Sequence, residues 1–77
     1  MQVTVKYYGQ LQDFSGCDSE KVSDVNSSDS LLTKLIEMHP LLHGKQFTLA
    51  VNTTIIRGNQ QLDDGAVVIL MPPFSGG

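Results

Sequence analysis

The chain has 77 residues, of which 40% are hydrophobic and 17% charged, with a formal net charge of −3; this permits one small core and excludes both a second domain and disorder throughout. Five Lys or Arg against eight Asp or Glu argue against nucleic acid as a ligand and point to a protein partner with a basic surface. Cys17 has no second cysteine to pair with, the N-terminus reads as a strand rather than a leader, and no stretch is apolar enough to cross a membrane, so a cytoplasmic protein is expected.

Residues 2–8 alternate, with Val3, Val5 and Tyr7 on one face and Gln2, Thr4, Lys6 and Tyr8 on the other, which is the period of a half-buried strand ended by Gly9. Leu11 and Phe14 are three apart before Ser15-Gly16, consistent with a short helical turn or a loop that delivers two apolar side chains to the core. Residues 20–25, with Val22 as the buried candidate, are expected to return antiparallel to the first strand. In Asn-Ser-Ser-Asp-Ser at 26–30, Ser28 is the expected helix cap and Asp29 complements the helix dipole. Leu31, Leu32, Leu35, Ile36 and His39 then form one apolar stripe, and Pro40 ends the helix. Strands are expected over 47–52, 54–57 and 66–71, with Leu62-Asp63-Asp64-Gly65 as a turn and Pro72-Pro73 as the stop. The order is β-β-α-β-β-β.

The last strand, Ala66-Val67-Val68-Ile69-Leu70-Met71, is apolar at every position, although one helix can cover only one face of a small sheet. Either loops and strand edges shield the second face, or it forms a docking patch that runs up to the tail.

The side chains assemble no familiar catalytic set. No phosphate-binding glycine loop occurs, and Asp63-Asp64 before Gly65 reads as a turn rather than a carboxylate pair. His39 and His43 have ligand spacing, but Pro40 lies between them and no third ligand completes a metal site. Cys17 has no cationic neighbour in sequence nearer than Lys21, so it reads as a small apolar residue rather than a sulfur-bearing thiolate. What remains is Pro72-Pro73-Phe74-Ser75-Gly76-Gly77. Two glycines suit a terminal carboxylate threaded into a narrow site on another protein, because they bring no side chain into it. The prolines favour an extended exit, and six residues at about 3.3 Å each would reach about 20 Å from the sheet. Phe74 would anchor the tail in a partner pocket. A frayed terminus is the plainer alternative.

Three stretches, Ala50-Val51-Asn52, the Leu62-x-Asp64-Gly65 turn and Pro72-Pro73-Phe74-Ser75-Gly76-Gly77, resemble the MoaD-type sulfur carriers, the small subunits of molybdopterin synthase within the ubiquitin-like β-grasp superfamily. Weaker support comes from residues 7–16. The resemblance implies an α+β fold, a β-grasp domain over residues 1–71 with a mixed sheet on one main helix, followed by a flexible tail over 72–77. It also implies that the carboxylate of Gly77 is the reacting group. A ubiquitin-activating-like adenylyltransferase would adenylate it with ATP, and a sulfur donor protein would convert the adenylate to a thiocarboxylate. Gly76, Ser75, Phe74, Pro73 and Met71 would engage the large synthase subunit, in a heterotetramer with two small chains at opposite ends of a large-subunit dimer. The large subunit would supply the catalytic groups that pass sulfur to cyclic pyranopterin monophosphate. The carrier itself would bind no cofactor or metal, no nucleic acid and no membrane, and would not be an enzyme alone. Gln12-Asp13 stands where many relatives have Arg-Glu, and Ala66-Val67 where an acidic pair is frequent; neither departure touches the tail. A sulfur carrier for thiazole synthesis shares these features, and a ubiquitin-like docking module that is never thiolated is the rival from another class.

Overall fold

Val3, Val5 and Tyr7 are fully enclosed while Gln2 and Lys6 stay exposed, so the alternation at the N-terminus does build a half-buried strand, β1 (Gln2–Tyr7). The computed structural model describes residues 1–73. After β1 come α1 (Leu11–Ser15), β2 (Ser19–Ser23), α2 (Ser28–Met38), β3 (Thr48–Val51), β4 (Thr54–Ile56) and β5 (Val67–Met71). The strands form one sheet in the order β2-β1-β5-β3-β4, with β1 and β5 parallel and the other neighbours antiparallel. A two-residue turn joins the antiparallel β3 and β4, whereas the parallel β1–β5 pair requires the whole intervening chain, including α2, to cross over.

The stripe on α2 behaves as its spacing predicts. Leu31 and Leu35 are fully buried and pack with Val3, Val5, Tyr7, Val68 and Leu70 in a single cluster, joined by Leu11 from α1 and Leu42 from a short 3-10 turn over Pro40–Leu42. Leu32 and Ile36 lie at the margin of this core, half-buried. Phe14 also packs from its edge, with the Lys45 ammonium 5.0 Å above its ring.

The helix cap is Ser27 rather than Ser28. Ser27 has the extended backbone of a cap, its Oγ accepts from the Ser30 N–H at 3.2 Å, and the Ser30 Oγ accepts from the Ser27 N–H at 3.1 Å. Ser28 is already helical and buried, and its Oγ accepts from the Gln60 N–H at 2.8 Å. The hydroxyls of Ser27, Ser28 and Ser30 thus divide between capping the helix and docking it onto the 58–61 loop. At the other end, the His39 N–H closes on Leu35 at 2.7 Å and Pro40 opens the 3-10 turn, so the helix stops where expected.

Two turns carry the remaining sequence signals. Asn52 and Thr53 both have positive φ, 48° and 74°, as the tight β3–β4 hairpin requires. Asn52 also bonds Val67 twice, accepting through Oδ1 and donating through its N–H, which ties the hairpin to β5. In the Asp63–Gly65 turn, Ala66 N–H reaches the Asp63 carbonyl at 3.1 Å, and Asp64 Oδ1 accepts from the Gln2 N–H at 2.8 Å. The adjacent acids therefore shape a turn and cap the start of β1.

Candidate functional site: the open sheet face and the exit of the tail

Residues paired across the ladders share a face, so the register sorts every strand residue. Opposite the helix lie Ser19, Lys21 and Ser23 of β2, Gln2, Thr4 and Lys6 of β1, Val67, Ile69 and Met71 of β5, Thr48 and Ala50 of β3, and Ile55 of β4. No described helix covers this face. Val67, Ile69 and Met71 are each half-buried, Ala50 is enclosed between its ladder partners Ile69 and Ile55, and Ile55 is 47% exposed. The outcome lies between the two alternatives for the second face: neighbouring side chains shield one another within the sheet, and an apolar strip remains along β5, β3 and β4.

Lys6 and Lys21 flank this strip, and the ladder residues of the face include no carboxylate. The basic partner surface expected from the net charge is therefore the wrong complement for this face. Net charge sums over the molecule, and the acids sit in the helices, in turns such as Asp63-Asp64 and, for Glu20, on the helix side of β2, rather than on the open ladder.

The strip ends where the tail begins. Met71 pairs with Thr48, Tyr8 N–H donates to the Leu70 carbonyl at 2.9 Å, and Pro72 and Pro73 leave the sheet exposed to solvent. Met71 and Pro73 of the anticipated contact set are thus at the C-terminal edge of the open face. Phe74, Ser75, Gly76 and Gly77 lie outside the described residues. A groove of 440 Å³ between α2 and the β3–β4 hairpin, lined in part by Leu32, Phe47, Ile56 and Arg57, has none of Met71, Pro72 or Pro73 among its walls.

Other candidate chemical groups serve the fold. Cys17 packs half-buried against the core with its Sγ 3.9 Å from the Ser15 Oγ. His39 Nε2 meets Glu20 Oε2 at 2.6 Å, and the Tyr7 hydroxyl donates to the same oxygen at 2.5 Å, which links the end of α2 to the β1–β2 hairpin. Burial, followed by the hydrogen bond and charge of Glu20, pushes the Tyr7 phenol far above its ordinary value. Sequence reasoning missed this link, because nothing in local spacing joins Glu20 to His39. Among the described residues, no three His, Cys, Asp or Glu side chains converge as a metal site, and no helix is long and apolar enough to cross a membrane.

A mixed sheet in this order, crossed by one main helix and ending in an exposed strand exit, defines the ubiquitin-like β-grasp class. The model of the ThiS family matches residues 5–77, and the chain belongs to that family. It is 30% identical, over the full length of both chains, to the molybdopterin synthase sulfur carrier subunit of Chlamydomonas reinhardtii. Its fold matches a molybdopterin converting factor subunit 1 from Pyrococcus furiosus with a TM-score of 0.90 at 22% identity, covering 96% of this chain and 99% of that one. A complex of subunits 1 and 2 of molybdopterin-converting factor from Helicobacter pylori contains a chain matched with a TM-score of 0.71 at 26% identity, complete in both directions.

Proposed function

We propose that this chain is the sulfur carrier subunit of a molybdopterin synthase and carries sulfur as a thiocarboxylate on Gly77. The observation that carries the reading is the end-to-end likeness to the Chlamydomonas carrier subunit, which also favours it over thiazole synthesis. The geometry fits a protein that works by being held: the open strip runs along β5 to Met71, and Pro72 and Pro73 follow it, exposed to solvent.

In the proposed cycle, the Gly77 carboxylate attacks the α-phosphorus of ATP within an adenylyltransferase and expels pyrophosphate. Hydrosulfide released by a donor protein then attacks the acyl carbon, forming the C–S bond as the C–O bond to AMP breaks and leaving the thiocarboxylate. Adenylation is needed because a carboxylate oxygen is otherwise a poor leaving group. The large subunit receives Phe74–Gly77 and supplies the catalytic groups that transfer sulfur to cyclic pyranopterin monophosphate. Val67, Ile69 and Met71 dock on that subunit, with Lys6 and Lys21 facing acidic groups at its rim. The two-subunit Helicobacter complex supports a large-subunit partner; a heterotetramer and a cytoplasmic site of action belong to the same proposal.

The test is the intact mass of the chain after incubation with ATP, an activating enzyme and a sulfur donor, beside a chain lacking Gly77. A gain equal to one oxygen-to-sulfur exchange is expected in the full chain and none in the deletion, with thermal unfolding unchanged. No gain in the full chain, with the enzyme active on another carrier, would favour a docking module that is never thiolated.

A further inference from the structure

The tail leaves the sheet beside the β1–α1 turn, and the contact there is tight. Gly9 has φ +60°, and a Cβ built on it would stand 2.8 Å from Pro72 Cγ and 3.4 Å from Pro72 Cδ. Of the positive-φ glycines, Gly16, Gly44, Gly58 and Gly65 also have left-handed backbones, yet a Cβ on any of them would meet nothing within 4 Å. Gly9 therefore answers two demands, a turn conformation and a close approach, and only the second concerns the tail.

Neither side of this contact yields easily. The turn is held by Tyr8 N–H to the Leu70 carbonyl at 2.9 Å, by Leu11 N–H to Tyr8 at 3.2 Å, and by the Gln12 side-chain amide to the Tyr7 carbonyl at 3.0 Å. On the other side, Met71 is paired with Thr48. The Pro72 ring closes on its own backbone nitrogen, so a side chain at position 9 cannot displace the ring without turning the main chain. From Pro73, the four remaining residues can reach at most about 14 Å, so the seat of Pro72 bounds where the terminal carboxylate can be delivered.

We infer that Gly9 is a positioning residue for the tail: its missing side chain seats Pro72 against the β1–α1 turn and so sets the direction in which Gly77 is presented. The inference rests on the carrier reading, but its structural half stands apart from it. Substitution at Gly9 acts on capture of the tail by the activating enzyme rather than on the chemical step, because the carboxylate itself is unchanged.

The experiment compares wild type, Gly9→Ala, Pro72→Ala and the double variant in ATP-dependent adenylation, together with thermal unfolding and the proton NOE between Gly9 Hα and the Pro72 ring. Wild type is expected to give the NOE. Gly9→Ala is expected to raise KM for the carrier about tenfold with little change in kcat, as loss of binding shared by the ground and transition states predicts. Pro72→Ala removes the ring, so the double variant returns to the KM of Pro72→Ala, although the strain of alanine at positive φ still lowers its unfolding temperature. An absent NOE, an unchanged KM in Gly9→Ala, a loss confined to kcat, or a double variant no better than Gly9→Ala would each overturn the inference. Failure of wild type to be adenylated at all would instead remove the carrier reading, with the NOE still deciding whether Gly9 seats Pro72.

Discussion

The two faces of the sheet are built from alternate residues of the same strands and serve different ends. On β5, Val68 and Leu70 are fully enclosed beneath α2, while Val67, Ile69 and Met71, one step away, remain half-buried with no helix over them. The covered face satisfies its apolar surface within the monomer. The open face keeps part of its apolar surface accessible and ends at the exit of the tail. An apolar strand without alternation thus meets one demand from the fold and, in the proposed carrier, a second from its partner.

The comparison breaks most severely from the covered side. Leu35 is fully buried at the centre of the α2 stripe, and Leu35→Ala should cost about 2–5 kcal/mol in denaturant unfolding, through lost transfer energy and the cavity left behind. The same strand offers a sharper contrast in Val68→Thr, which keeps the shape but puts a hydroxyl under the helix. It should cost about 1–3 kcal/mol, since that hydroxyl would be buried without a designed partner.

Tyr7 occupies the covered face yet ends in a polar contact, and its loss should be smaller. Tyr7→Phe removes the hydroxyl bonded to Glu20 and should cost about 1–2 kcal/mol near neutral pH. The pH dependence has a definite sign. The fold raises the phenol's affinity for its proton, so above the unfolded value of about 10 the unfolded chain releases a proton that the folded chain retains. Stability from this group is complete below that pH and declines above it. The unfolding free energy of wild type should therefore fall more steeply above pH 10 than that of Tyr7→Phe, and parallel curves would dissociate the phenol from alkaline unfolding.

Much of this was legible in the sequence wherever local period and burial coincide. Val3, Val5 and Tyr7 announce both a strand and its inner face, and Leu31 and Leu35 announce the helix stripe, because each pattern reflects a single covering layer. The cap was misplaced because Ser27, Ser28 and Ser30 are chemically alike, and only the direction of the chain entering the helix selects Ser27. The strand order and the Tyr7–Glu20–His39 link depend on partners brought together by the fold, which no local period encodes. The tail's composition raised the expectation of a function there, whereas the contact beneath it carried no signal: Gly9 reads as the end of a strand until Pro72 is found against it. The basic flank of the open face was hidden for a different reason, since Lys6 and Lys21 are outnumbered in the sum of charges and become a feature only when β1 and β2 pair.

The smallest expected effect tests the comparison most directly. Val67 and Val68 are neighbours on β5, paired in register with Thr4 and Val5 of β1, and differ in which face they occupy. Val67→Thr makes the same chemical change as Val68→Thr, but its hydroxyl can reach water and threonine is as suited to a strand as valine. Its cost should stay within about 0.5 kcal/mol, as for surface substitutions generally. If urea unfolding instead gave the two variants equal losses, Val67 would be sealed inside the monomer, and the strip proposed to dock on the large subunit would have to be redrawn without it. If Val67→Thr is nearly silent in stability but weakens the complex with the large subunit, measured by titration calorimetry, the two faces of one strand will have been separated by a single repeated substitution.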